Sequence, residues 1–367
     1  MENKLKLGII YGGRSGEHEV SLMSARSVLS VIDRQKFDVI EIGITRQGEW
    51  FIGEDLWHKL KAEKYEELTK AILLPMPQNP GIYRWEDGKM VLHTTLDVVF
   101  PVMHGTYSED GTLQGLLELA DIAYVGAGVL GSAACMDKGL FKDIMMANDI
   151  PTLPYQVLNR SMIERDMEAC LQLAESVADY PLFTKPANLG SSVGISKCNS
   201  RSDLMEGLLF AAHYDRRVVV EQGVEKAREI EVSVLGNEYP TASIPGEIIP
   251  KDIFYTYKEK YINDTAELLI PADLSPEMIT KIQFLALKAY KATDCAGMGR
   301  VDFLIDPQTT TIFLNEINTI PGFTKISMYP KLWEASELSY TQLIEKLIDL
   351  ALARKTQRDK TTREFRS

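Results

Sequence analysis

Cysteine is scarce: Cys135, Cys170, Cys198 and Cys295 are the only four in 367 residues, with no CxxC pair and no histidine at ligand spacing. That argues against a disulfide framework or a zinc site and leaves buried free thiols as the reading. No run of about 18 apolar residues is present, so no segment is expected to span a membrane. Basic residues are outnumbered, 40 against 52 acidic, and a net charge of −12 argues against nucleic acid as the principal partner. The opening MENKLKLGIIYGG contains neither an apolar leader core nor a small-residue cleavage site, so a cytoplasmic location is expected. The GxxxxGK[ST] phosphate loop is missing as well. What remains is an ordinary globular composition, 45% hydrophobic and 25% charged, in a chain long enough for two or three domains.

The first stretch reads strand, glycine loop, helix: Leu5 to Tyr11, then GGRSG, then about Glu19 to Ile32. This is the opening of a doubly wound α/β unit, which binds ligands at the carboxyl ends of its strands. Glu17 stands where loop meets helix, suited either to the helix dipole or to a substrate ammonium. Residues from about 51 to 92 read as an irregular surface excursion with a hairpin turn at Asp87-Gly88. His104 follows the strand Val98 to Met103 in a glycine-bearing loop, a position suited to ligand contact. Gly126 to Gly131 fits GxGxxG, but Asp149 sits beside Pro151 in a loop and not at the end of a following strand, so dinucleotide binding is not expected.

Past Pro151 and Pro154 the alternation of strands and helices predicts an α+β layer. Its loop KPANLGSSVGIS holds Gly190, Ser191, Ser192 and Gly194, which fit either a plain turn or a nest of backbone N–H groups for an anion. Lys138 and Lys185 would supply cations. Glu221 ends a strand beside Gln222-Gly223-Val224, a plausible reader of a purine edge, and Glu229 is a candidate acceptor from ribose hydroxyls. Residues 254–261, FYTYKEKY, form a polar aromatic loop of the kind used to exclude water.

The stretch that organises the chain is Gly299 to Ser327, GRVDFLIDPQTTTIFLNEINTIPGFTKIS. Two apolar runs flank Asp306-Pro307 and predict neighbouring strands. Alternation would bring Arg300 and Asp302 together with Glu316 and Asn318 on matching faces. The acids and the amide are oxygen donors suited to Mg²⁺, and a planar, permanently charged guanidinium suits an anionic transition state. A hairpin with solvated acids and an ordinary salt bridge fits the same pattern. The tail from Arg354 reads as a solvated, basic end.

In this order, GGRSGEHEVSL, HGTYSEDGTLQG, CMDK, KPANLGSSVGISK, EQGVEKAREIEV, FYTYKEKY, GRVDF and NEINTIPGFT make the chain resemble the D-alanine–D-alanine ligases of the ATP-grasp superfamily over nearly its whole length. The resemblance implies three domains: an N-terminal doubly wound α/β unit (1–136), a central α+β unit (137–222) and a C-terminal α+β unit (223–353) with a lid loop at 250–265, then a polar tail (354–367). ATP would lie between the last two. It implies Lys138, Phe183, Lys185, Ser191, Ser192, Glu221, Gln222, Val224, Glu229, Phe254, Lys260 and Asn315 as nucleotide contacts. Asp302, Glu316 and Asn318 would hold two Mg²⁺, with Mn²⁺ a possible substitute. Glu17, Val20, His104, Arg300, Ser327 and Met328 would bind two D-alanines, and Glu17, Ser191, Tyr261, Arg300 and Gly322 would act in catalysis. A cytoplasmic homodimer making peptidoglycan precursors is the further implication. Ser108, Thr184 and Thr256 depart from the family's usual residues without touching the chemical groups. Lys260-Tyr261 resembles the members that form dipeptides, with D-serine or D-lactate acceptors as alternatives.

Overall fold

A computed structural model describes residues 4–249 and 267–362. Leu5–Gly12 is its first strand, and its side chains from Leu7 onward are buried on both faces. Such a strand needs cover above and below, which parallel sheets with flanking helices provide. It pairs in parallel with Phe37–Ile44 and Val98–Val102, and the latter with Ala123–Tyr124.

The stretch expected to be irregular is part of this sheet. Trp50–Ile52, Thr69–Leu73, Gly81–Glu86 and Lys89–Thr95 continue it as an antiparallel meander, giving eight strands in all among the described residues. The last of these strands has no buried residue, so it carries little hydrophobic alternation to read. The turn at Asp87-Gly88 is present, with both residues at positive φ (50° and 75°), as a two-residue hairpin loop requires.

The chain leaves this sheet through helices Val129–Met136 and Lys138–Ala147, split at Asp137, whose carboxylate caps the second by accepting from Leu140 N (3.0 Å). A second, four-stranded antiparallel sheet follows, in the order Ser196–Cys198, Leu182–Pro186, Arg217–Gln222, Tyr155–Asn159. Helices Met167–Glu175 and Arg201–Tyr214 share a separate core with it, built on Leu158, Leu182, Leu204, Leu208 and Val220.

The third sheet runs Glu267–Leu269, Gly246–Ile249, Arg228–Leu235, Met298–Ile305, Ile312–Asn318, with Thr241–Ala242 added to Arg228–Leu235. Helix Pro276–Ala292 starts with Ser275 as cap and proline in its first turn, and buries Ile282, Leu285, Ala286 and Ala289 in the core of this sheet.

Two expectations about the C-terminal end need correction. Helices Met328–Ala335 and Tyr340–Arg358 do not close off a unit ending at 353; Tyr329, Leu343, Leu347 and Ile348 enter the same core as Leu7, Ile9 and Phe100 of the first sheet. The apolar stripe of the last helix packs against that sheet and against helix Met328–Ala335. Nor is 354–358 a free polar tail. Arg354 donates to Gly126 O (2.8 Å) and lies over the Tyr124 ring, while Lys355 and Arg358 pair with Asp121 at 3.1 and 2.7 Å. Lys355 and Arg358 read as solvated because Asp121 lies more than 200 positions away in sequence. No helix among the described residues is long and apolar enough to cross a membrane.

Candidate active site

The Met298–Ile305 and Ile312–Asn318 strands pair Arg300 with Asn318 and Asp302 with Glu316, so the four side chains share one face. Strict alternation from the buried Ile312 and Leu314 would have sent Glu316 and Asn318 into the core. A β-bulge prevents this: Asp302 faces Glu316 but Phe303 faces Leu314, leaving Asn315 as the extra residue. One added residue re-aims both acceptors toward the cleft.

On that face Arg300 holds Asp302 through two parallel bonds (2.8 and 2.6 Å), and Asn318 Nδ2 donates to the same carboxylate (2.9 Å). Arg300 Nε also lies 2.9 Å from Glu231, which stands opposite Asp302 on the Arg228–Leu235 strand. Glu231 was not singled out from the sequence, although its two-residue spacing from Glu229 put it on the same strand face. Two carboxylates and an amide suit a hard divalent cation. Among the described residues no group of three or more His, Cys, Asp or Glu is arranged to hold a metal. Their hard oxygens are the donors of an ion such as Mg²⁺, which takes one or two carboxylates and completes its shell with water and phosphate.

The serine-glycine loop meets this face from the second sheet. Ser191 and Ser192 are both left-handed (φ 52° and 58°), a conformation costing non-glycine residues about 1–2 kcal/mol each. Ser191 Oγ donates to Glu17 of the first unit. Lys138 bridges the two walls, donating to Leu189 O (2.7 Å) with its ammonium 3.5 Å from Glu316.

Deeper along the second sheet, Phe183 pairs with Glu221 and Leu182 with Gln222. Glu221 is 2% exposed, and its carboxylate meets Lys185 and, at 3.1 Å, Lys142. Burial alone would raise its pKa, but the two ammonium groups outweigh it and hold the carboxyl down to about 2. Lys142, 1% exposed, escaped the sequence reading because a lysine in a helix ordinarily marks the solvent face.

On the amino-acid side, Glu17 precedes helix His18–Leu29 and approaches Gly105 so closely that a Cβ there would lie 2.5 Å from its Oε2. His104 is buried with both ring nitrogens engaged, Nε2 by Ser24 Oγ (3.0 Å) and Nδ1 by Ile320 O (2.9 Å). Burial lowers its pKa, so the ring is neutral. Ser327 Oγ accepts from Thr324 N (3.0 Å), and Met328 starts the next helix.

Glu17, His104, Lys138, Ser191, Arg300, Glu316, Asn318, Gly322, Ser327 and Met328 line one cleft, which also takes in Glu109. All three sheets contribute to it. Val20 is instead fully buried, and Phe183, Lys185, Ser192, Glu221, Gln222, Val224, Glu229, Asp302 and Asn315 are not among the residues that line it. Phe254, Lys260 and Tyr261, with the lid loop expected at 250–265, fall outside the described residues.

The chain matches the family model for the D-ala D-ala ligase N-terminus over residues 6–127 and that for the D-ala D-ala ligase C-terminus over 144–349. It is 51% identical over 354 residues to a D-alanine–D-alanine ligase of a Thermoanaerobacter species, covering 96% of this chain and 97% of the relative. To that of Natranaerobius thermophilus it is 45% identical over 363 residues, 99% of both. Among solved structures, the D-alanine-D-alanine ligase from Coxiella burnetii superposes with a TM-score of 0.81 at 35% identity, covering 97% of this chain and 96% of that one. VanG D-Ala:D-Ser ligase from Enterococcus faecalis gives 0.83 at 35%, covering 95% and 100%.

Proposed function

The chain belongs to the D-alanine–D-alanine ligase family, and from that premise we propose that it joins two D-alanines at the expense of ATP, for peptidoglycan precursor synthesis. The observation that carries the reading is the shared cleft, where an ammonium partner (Glu17), a cation for phosphate (Lys138) and a guanidinium beside hard oxygen donors converge from three sheets.

In the proposed reaction a carboxylate oxygen of the first D-alanine attacks the γ-phosphorus, ADP leaves, and an acyl phosphate forms. The amine of the second attacks its carbonyl carbon, an amine proton is lost, and phosphate departs. Glu17 pairs with the first substrate's ammonium, and Lys138 and Lys185 with Ser191 and Ser192 hold the phosphates. Phe183, Glu221, Gln222, Val224 and Glu229 surround the nucleoside. Asn315 is a further nucleotide contact, and Asp302, Glu316 and Asn318 would hold two Mg²⁺, which would supply charge neutralisation to the transferring phosphoryl group. Arg300 and the Gly322 amide stabilise the tetrahedral oxyanion, and Ser327 takes the second substrate's carboxylate. The nucleotide requirement favours a cytoplasmic location, and a homodimer is the expected assembly.

Release of ADP and phosphate on addition of D-alanine, with dipeptide as product, tests the reading; equal release with L-alanine would overturn it. Parallel assays with D-serine and D-lactate separate the acceptor alternatives. Arg300→Ala is expected to lower kcat by about 100- to 1,000-fold, the usual effect of losing an oxyanion donor; an unchanged kcat removes Arg300 from the chemistry.

A further inference from the structure

Glu109 is a half-buried carboxyl that the reaction scheme does not use. Its Oε2 accepts from Gly105 N (2.7 Å) in its own loop, and its Oε1 accepts from Ile320 N (3.1 Å), 211 positions later. The carbonyl of the same residue, Ile320, accepts from His104 Nδ1. A carbonyl can only accept, so Nδ1 carries the proton and the neutral ring's Nε2 is an acceptor. Ser24 Oγ–H therefore donates to Nε2, while Ser24 Oγ accepts from Phe323 N (3.2 Å). Both ring nitrogens of His104 and the Ser24 hydroxyl are thereby accounted for.

The consequence falls on the turn 320–323. The Ile320 N–H is held by Glu109, the Ile320 C=O by His104, and the Phe323 N–H by Ser24. Pro321 has no N–H. That leaves the Gly322 N–H, which among the described residues meets no acceptor, in a residue that lines the cleft with Arg300. A clasp on both sides of one free donor fixes its position, and oxyanion stabilisation depends on donors set in place before charge develops.

We propose that Glu109 is a positioning residue of the ligation: by tying the Ile320 amide to the His104–Glu109 loop, it sets the Gly322 N–H against Arg300 at the reacting carbonyl. This rests on the ligase reading above and extends it to a residue that never touches substrate.

The test compares the full chain with Glu109→Ala, Glu109→Gln and Ser24→Ala, measuring kcat, KM for ATP and for D-alanine, and hydrogen exchange at the Ile320 amide. Glu109→Ala is expected to lose about 100-fold in kcat, the scale set by a misplacement near 1 Å, while KM for ATP stays within about three-fold. Glu109→Gln keeps one acceptor oxygen and recovers part of the loss. Ser24→Ala removes a single hydroxyl and gives the same kcat-weighted pattern at smaller amplitude, so it carries the test if Glu109→Ala does not fold. A kcat within about two-fold of the parent in all three, or an equal loss of ATP affinity alongside kcat, overturns the proposal. Exchange at Ile320 reads the clasp without turnover: faster exchange in Glu109→Gln supports it and unchanged protection overturns it. An unaltered chain that fails to consume ATP with D-alanine defeats the ligase reading alone.

Discussion

Two glutamates, one at each end of the site, show how context sets the charge of the same side chain. Glu221 sits on the second sheet between Lys142 and Lys185 and is held down to about 2. Glu109 sits between the first and third units with two backbone N–H partners and Glu17 nearby; burial first, then the charge of Glu17, pushes it up to about 8. Desolvation acts alike on both. Two fixed cations reverse it in one place, and peptide dipoles beside another carboxylate do not in the other. The nucleotide side of the proposed site is thus built on ionised groups and the amino-acid side on a neutral hydrogen-bonded clasp.

The largest test of that contrast is Lys142→Met. Removing one partner from a buried ion pair leaves an under-compensated charge, so a stability loss of about 3–5 kcal/mol is expected in urea titration. A loss under about 1 kcal/mol would mean that Lys185 alone suffices for Glu221.

The pH dependence of stability distinguishes the two acids by sign. Glu221 titrates in the folded protein below its ordinary value of 4.5, so its stabilisation is complete above that pH and is lost as pH falls toward 2. For Glu109 the folded value lies above 4.5, so the native state keeps a proton that the unfolded chain releases, and stability declines as pH rises from 4.5 toward 8. Glu109→Gln should remove the second decline and leave the first, with the gap between variant and parent changing by a few kcal/mol at most, at about 1.4 kcal/mol per pKa unit. Parallel curves for the two proteins over pH 5 to 8.5 would show that Glu109 is ionised throughout.

The smallest expected effect concerns the amino-acid side alone. Ser327→Ala should raise KM for D-alanine about ten-fold, the scale of one hydrogen bond to a charged group, and leave KM for ATP unchanged. A matching rise in both constants would erase the division between the two sides.

Much of this was legible along the chain, because the signals were local. Ser275 and Pro276 stand at the start of helix Pro276–Ala292, and Gln342 accepts from Ser339 N (3.1 Å) three residues before it, both signals that lie within one turn of sequence. Arg300, Asp302, Glu316 and Asn318 were recognisable as one constellation, yet the strand alternation invoked for them holds only because of the bulge at Asn315. Lys142, Glu231 and Glu109 went unread. A lysine in a helix and an acid in a loop look solvated until their partners are known, and those partners lie 79, 69 and 211 residues away. The meander after Trp50 was missed for a related reason: its outermost strand, Lys89–Thr95, buries no residue and imprints no period on the sequence.

Sequence by itself determined which chemical groups are present, in what order, and where helices start and turns fall, since these depend on neighbours within a few residues. Tertiary structure alone decided which acids are charged, which face Glu316 presents, and that the last helix belongs to the first sheet. Each of those depends on the dielectric and the partners that distant segments bring, and no local pattern carries that information.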